Sequence, residues 1–287
     1  MEQNWKPSKH LDDLFSQEMA THVATALEER VNEWHAGQRD AIRLATKIGD
    51  GQTQALAQKL DAEELKRLQA QSSRDVLDFL QGRKLQPPQP DPRDLVDVHF
   101  PLLPTPQSCR SSFGPYNRWG GVDGGGAGAG EINISSGSAR NFGGKMVFGV
   151  AGAGHIWAGS GCWFTVGTTG QARLTATFMT NGAAALAAPL GFSSTHIRFF
   201  ASVWGAAENR WVDRGGAGTD LANLFMWAVV SFDSSVTTVT VLFDALAGGA
   251  YYCAGGFNMW TTIAGLAGGG ANIANLMNPL TVCSPFP

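Results

Sequence analysis

The sequence predicts a chain of two physically different parts, an α-helical N-terminal segment followed by an all-β domain built as an antiparallel, jelly-roll-like sandwich. Three observations lead there. Of the 45 charged side chains, 26 lie in residues 1–86 and only 15 in residues 101–287. The second stretch holds 32 of the 36 glycines and seven of the nine tryptophans. Between the two lies Gln86-Pro87-Pro88-Gln89-Pro90-Asp91-Pro92, whose prolines favour an extended path and exclude a helix. The expected units are a helical oligomerisation or attachment segment at 1–85, a Pro-rich linker at 86–106 and a Gly-rich β-sandwich at 107–287.

In the N-terminal segment, Ala20, Leu27, Trp34, Ala41 and Ile48 recur every seven residues, and Ala24, Val31 and Ala45, completed by Gln38, form a second column. Together they make the narrow 3-4 seam of a coiled-coil contact, with Glu28, Glu29, Glu33, Arg39 and Arg43 on the other faces. Gly49-Asp50-Gly51 is expected to interrupt that helix. A second helix is expected from Gln52 to Gln69 on the stripe Leu56, Leu60, Leu65 and Leu68. A third, Arg74 to Leu80, is expected to be capped by Ser72 or Ser73 and ended near Gly82. Such seams hold too few large apolar residues to close a core alone, so contacts between copies of the chain are expected, most simply in a homotrimer, with a small bundle packed within one chain as the alternative.

From about residue 110, β-branched and aromatic runs alternate with glycine-rich stretches. In Gln171–Met179, Ala172, Leu174, Ala176 and Phe178 share one side; in His196–Trp204, Ile197, Phe199, Ala201 and Val203 do; in Val236–Phe243, Val239, Val241 and Phe243 do. Lys145–Val150, Cys162–Val166, Leu224–Phe232 and Ala250–Ile263 read as further strands. Many short strands without intervening helices make an antiparallel sandwich or jelly roll.

Composition excludes several classes. A net charge of −3 gives no electrostatic case for nucleic acid or an anionic membrane. Met1 to His10 is polar, with no apolar signal region after it, and the longest apolar runs, Leu221–Val230 and Ala183–Phe192, are too short to span a bilayer. The expectation is a soluble protein made in the cytoplasm that stays there or leaves without a standard signal. Cys109, Cys162, Cys253 and Cys283 are spaced by 53, 91 and 30 residues, which fits no zinc or redox motif. They are expected to be buried free thiols, with disulfides as the alternative.

No catalytic motif is present. Gly124–Gly130 is followed by the strand-like Glu131-Ile132-Asn133-Ile134 and lacks Gly-Lys-Ser/Thr, so it is expected to be a glycine loop and not a phosphate site. Ala158-Gly159-Ser160-Gly161 is not the hydrolase elbow. Asp213–Asp220 reads as a surface turn with too few oxygen ligands for calcium. No enzyme activity, cofactor or metal is expected. The aromatics are the candidates for binding: Trp204 and Trp211 flank a polar stretch containing Arg210, and Trp119 lies in Tyr116-Asn117-Arg118-Trp119-Gly120. A ring beside Asn, Arg and Glu suits a sugar, whose apolar face stacks while its hydroxyls hydrogen-bond. Core or interface packing is the alternative for the same rings.

The seam Ala20/Leu27/Trp34/Ala41/Ile48, the Pro87–Pro92 linker and the charge-poor domain together resemble the fibre, spike or appendage proteins of tailed bacteriophages. That resemblance is architectural. It implies a self-assembling virion component, anchored to other virion proteins by its N-terminal region, with an exposed β-domain for host contact and cell-surface glycan as a possible ligand. A lectin-like carbohydrate-binding module and a pore-forming toxin are the alternative classes.

Overall fold

The structure, a computed structural model, describes residues 107–110, 116–126, 130–148, 152–208, 210–224 and 227–285. It also describes Lys47, Gly51, Ala55, Gln58, Lys59, Asp61, Glu63, Glu64, Arg67, Gln71 and Leu80. The seam residues Ala20, Leu27, Val31, Trp34, Ala41 and Ile48 and the linker 86–106 lie outside the described residues.

Ten strands follow in chain order: β1 (Gln107–Arg110), β2 (Asn117–Gly126), β3 (Gly130–Ser138), β4 (Asn141–Phe148), β5 (Gly152–Thr165), β6 (Gly170–Gly205), β7 (Arg210–Leu224), β8 (Trp227–Ala245), β9 (Ala250–Met277) and β10 (Thr281–Pro285). Every pairing is antiparallel. The organising elements are β6 and β9, 36 and 28 residues long, which pair with each other along most of their length. Their register shifts between Ala187 and Leu190. On one side of that shift, the first half of β6 is flanked by β8, and the second half of β9 by β4 and then β3. On the other side, the second half of β6 is flanked by β7, and the first half of β9 by β5 and then β2.

The two halves fold onto each other as the layers of a sandwich. Phe178 and Phe199, from opposite halves of β6, have ring centroids 5.1 Å apart, and Phe142 of β4 stacks on Phe257 of β9 at 5.9 Å. One core takes the alternating residues of both halves: Ala172, Leu174, Ala176 and Phe178 with Ile197, Phe199, Ala201 and Val203 from β6, and Tyr251, Cys253, Phe257 and Met259 with Ile273 and Met277 from β9. The sandwich thus forms by strands that switch layer at an irregularity, the corner-making device of bent sheets, in place of the expected jelly-roll succession of short strands. Leu224–Phe232 and Val236–Phe243, expected as two strands, fall largely in the single strand β8. Its irregularity faces a register shift between Thr180 and Gly182, where Ser234 takes φ 48° and its N–H donates to Asn181 Oδ1 at 2.6 Å.

Two glycine-rich stretches differ from expectation. Gly124–Gly126 and Gly130 belong to β2 and β3, and Gly215–Gly218 to β7, where Gly216 pairs with Phe200 and Gly218 with Arg198. Neither this part of Gly124–Gly130 nor Asp213–Asp220 is a loop. Close approach explains strand glycines elsewhere in the same sheet: a Cβ on Gly159 would sit 2.5 Å from the Trp119 ring, one on Gly256 2.7 Å from Phe200, and one on Gly121 would run into Trp157. These strand glycines leave room for rings that neighbouring strands lay across them.

The cysteines also divide differently. Cys109 and Cys283 are directly opposed in the β1–β10 pair and form a disulfide, whereas Cys162 and Cys253, opposed in the β5–β9 pair, are buried and free. The expectation of free thiols holds for the second pair only.

Among the described N-terminal residues, Lys47, Gly51, Ala55, Glu63, Glu64, Arg67, Gln71 and Leu80 have helical backbone, and Gln58 and Lys59 lie in a turn. Ile48, Gly49 and Asp50 lie outside the described residues, and the turn at Gln58 and Lys59 means that Gln52–Gln69 is not one helix. Asp61 Oδ1 accepts from the Glu64 N–H at 2.8 Å, an N-cap that starts a new segment after the turn. Leu80 is 1% exposed and packs on the outer side of the first layer, among Val147, Ala183, Ala185, Ala187 and the half-buried Val229. The alanines present a smooth surface there, so a single leucine fills it.

Candidate functional site

The side of the second layer facing away from the core gathers most of the tryptophans. In β5, β9 and the second half of β6, the core takes Ile156, Ala158 and Cys162; Cys253, Phe257 and Met259; and Ile197, Phe199 and Ala201. Alternation sends the intervening residues to the outer face. Registered pairing then lines them up in rows across the strands.

One row is Trp163, Tyr252, Trp204 and Trp211. The next but one is Trp119, Gly159, Gly256, Phe200 and Gly216. It is followed by Gly121, Trp157, Asn258, Arg198 and Gly218, and then by Asp123, His155, Trp260, His196 and Asp220. The last row places the two histidines of the β-domain on either side of one tryptophan, each with an aspartate in register on the strand beyond.

The face has a closed end and a half-open middle. At the closed end Trp119 is 5%, Trp204 3% and Tyr252 0% exposed. Trp119 stacks on Phe200 at 5.5 Å and Trp163 tilts against Tyr252 at 5.4 Å. Burial pushes the pKa of the Tyr252 hydroxyl far up, so it stays protonated. Gly161 lies under that same Tyr252 ring. In the middle, Trp157, His196 and Arg198 are half-buried, beside the buried Asn258, His155 and Trp260. His155 stacks on Trp157 at 4.8 Å and His196 on Trp260 at 4.6 Å.

Of the residues expected to bind, Trp119 and Trp204 thus lie in the closed end of one face, their rings packed among other side chains. Trp211 stands opposite Trp204 within β7, and Arg210, at the start of β7 opposite Gly205, is exposed. The structure brings Trp204 and Trp211 into one row and Trp119 two rows away on the same face. Sequence reasoning missed Trp157, Asn258, Trp260, His196 and Arg198. A signal for two of them was present: the other side of His196–Trp204 reads His196, Arg198, Phe200, Ser202, Trp204, a polar and aromatic side where a solvated strand usually carries small polar groups.

Chemically, the middle of the face offers indole and imidazole planes, one amide and one guanidinium. Among the described residues no group of His, Cys, Asp and Glu has the arrangement of a metal site. No helix among them is long and apolar enough to cross a membrane.

No protein-family model matches the chain, and no curated protein does. Solved structures with some likeness include the CBM4 module, at 9% identity and a TM-score of 0.22 over 57% of this chain and 84% of that one. Another is tailspike protein 4 of bacteriophage CBA120, enzymatically active domain, at 9% identity and 0.21, covering 57% of this chain and 19% of that one. A third is the CBM22-1–GH10 part of Clostridium thermocellum xylanase 10B, complexed with xylohexaose, at 9% identity and 0.20, covering 60% and 26%. The likeness is loose: carbohydrate-binding β-sandwich modules and a phage tailspike domain are among the neighbours, at an overlap too low to argue from.

Proposed function

We propose that this chain is a non-enzymatic, self-assembling appendage protein whose β-domain binds carbohydrate on a cell surface. The observation that supports it is the half-open middle of the second layer's outer face, where Trp157, Asn258 and Arg198 stand in one row beside His155, Trp260 and His196. Carbohydrate recognition asks for this combination, because a pyranose presents an apolar face to a ring and a rim of hydroxyls to amide and guanidinium donors. A core would not place an arginine and an asparagine among its rings. The N-terminal segment, with its seam from Ala20 to Ile48, supplies self-association as a homotrimer and anchoring to other virion proteins, and the assembly is exposed outside the cell that makes it.

The test is binding of the full chain to an immobilised oligosaccharide panel, repeated with Trp157→Ala. Saccharide-dependent binding that the substitution abolishes, with the fold retained, is expected. A panel without any binder refutes the carbohydrate reading. Native mass spectrometry of the full chain tests the assembly, and a clean monomer at micromolar concentration refutes it.

A further inference from the structure

The outer edge of β8 differs from the other edges of the sandwich. Among the described residues β8 pairs with β6 alone, so one of its sides meets no other described strand. β1, β2, β3 and β7 also end the sheet. Each of those carries features that discourage pairing with another chain. β1 is four residues long and ends in Arg110, β2 and β7 are interrupted by glycines and charges, and β3 holds Glu131 and a register shift between Ser136 and Ser138. In β8 the stretch from Ser235 to Phe243 has none of these. It reads Ser-Val-Thr-Thr-Val-Thr-Val-Leu-Phe, without charge, proline or glycine, and its register with β6 is unbroken. The exposed large hydrophobic residues of the described chain are Val236, Leu242 and Leu246, all on this strand or just beyond its end.

The stretch is also self-complementary. Val239 is its middle residue, and Val236 and Leu242 lie equally far from it along the strand. A second β8 turned antiparallel about that point sets Val236 opposite Leu242 of the second copy and Thr238 opposite its Thr240, on the outer face. On the core side it sets Thr237 opposite Val241. The irregularity at Ser234 bounds the stretch at one end and Asp244 at the other.

We propose that two copies of this chain join through β8, edge to edge and antiparallel about Val239, so that the first layers of two sandwiches become one continuous sheet. Backbone N–H and C=O groups on the outer edge pair across the contact, and the exposed Val236 and Leu242 cover each other. The contact is isologous, so it closes as a pair and does not propagate. Its self-complementarity selects a second copy as the occupant over a strand of a different protein. It lies in the β-domain and not in the seam from Ala20 to Ile48, so it stands apart from the assembly proposed above.

The experiment compares the unaltered full chain with Val236→Lys/Leu242→Lys and Val236→Glu/Leu242→Glu, by sedimentation equilibrium and native mass spectrometry. In the proposed register each double variant sets like charges opposite one another at both ends of the contact. The dissociation constant should rise by about 100-fold or more, and the particle mass at micromolar concentration should halve. Mixing the two variants sets opposite charges together and should restore the unaltered mass, with the two chains in equal number. Should the variants fail to fold, hydrogen exchange in the unaltered chain decides the matter: the alternate amides of Ser235–Phe243 that do not pair with β6 should gain protection as concentration rises. An unchanged mass for both variants, or amides indifferent to concentration, overturns the β8 contact and leaves an N-terminal assembly standing. A mixture that stays at half mass overturns the register. A monomeric unaltered chain overturns both contacts and leaves the edge to a strand of another protein.

Discussion

Cutting the Cys109–Cys283 bridge should loosen the whole β-domain, and the size of the effect follows from its position. The two cysteines are 174 residues apart, so the bridge closes nearly the entire domain into one loop. The loop-closure relation then gives about 5 kcal/mol of stabilisation at 25 °C, and removal of native bridges typically costs about 2–5 kcal/mol. The local structure favours a large share of that range. β1 has four residues and pairs with β10 alone, and β10 has five and joins the sheet through three residues of β6. Two strands so short hold to the sheet weakly without a covalent tie. The assay is urea unfolding followed by tryptophan fluorescence, for the oxidised chain, the reduced chain and the Cys109→Ser/Cys283→Ser double variant. With a urea slope of about 2 kcal/mol/M for a domain of this size, the midpoint should fall by roughly 1–2.5 M. The reduced chain and the double variant should agree. An unchanged midpoint, or four alkylatable thiols in the unreduced, unfolded chain, would refute the reasoning.

Further predictions follow from burial. Burial raises the Cys162 thiol from 9.0 to about 11, a hydrogen bond from Tyr116 opposing it only in part, and burial likewise pushes Cys253 and Tyr116 up. The folded state then holds its protons more tightly than the unfolded chain, so the stability these groups contribute is complete below about pH 9 and is lost as pH rises toward 11. Urea midpoints measured from pH 7 to 11 should decline over that window, and a flat profile counts against the buried thiols. Trp204→Ala should cost about 3–5 kcal/mol because its ring is enclosed, whereas Trp157→Ala should cost distinctly less while removing binding; equal melting temperatures for the two variants would contradict the division of the face. Leu80→Ala should cost about 2–5 kcal/mol if the alanine surface under it cannot close, and a neutral result would show that Leu80 is not seated there.

How much of this was legible in the sequence depends on what alternation can encode. The inner residues of Gln171–Met179, His196–Trp204 and Val236–Phe243 were readable, because a strand with one face in a core must repeat every two residues, and all three sets lie in the single core. The layer switch in β6 was not. Ala183–Phe192 is apolar throughout, so periodicity gives no sign that one strand continues through it. The disulfide was equally hidden, since spacing along a chain does not reveal which cysteines a register brings face to face. The row containing Trp157, Asn258 and Arg198 joins residues 157, 258 and 198, positions that nothing local connects.

Glycines and rings were each interpreted by themselves, glycine as a loop or turn, whereas in the sheet they form pairs. Trp119 lies over Gly159, Tyr252 over Gly161, Phe200 over Gly256 and Trp157 over Gly121. A side chain at any of these glycines would lift its ring off the sheet, and removal of the ring would uncover backbone that a glycine cannot shield. The pairing shows how glycines and large aromatic rings share the strands of one sheet. It also bears on function. Rings seated on glycine lie close to the sheet, and at the closed end they seal it. In the rows of Trp157 and Trp260 the polar groups Asn258, Arg198, His155 and His196 share the surface with them. Those rows are where the proposed ligand, with both an apolar face and polar edges, would find partners for each.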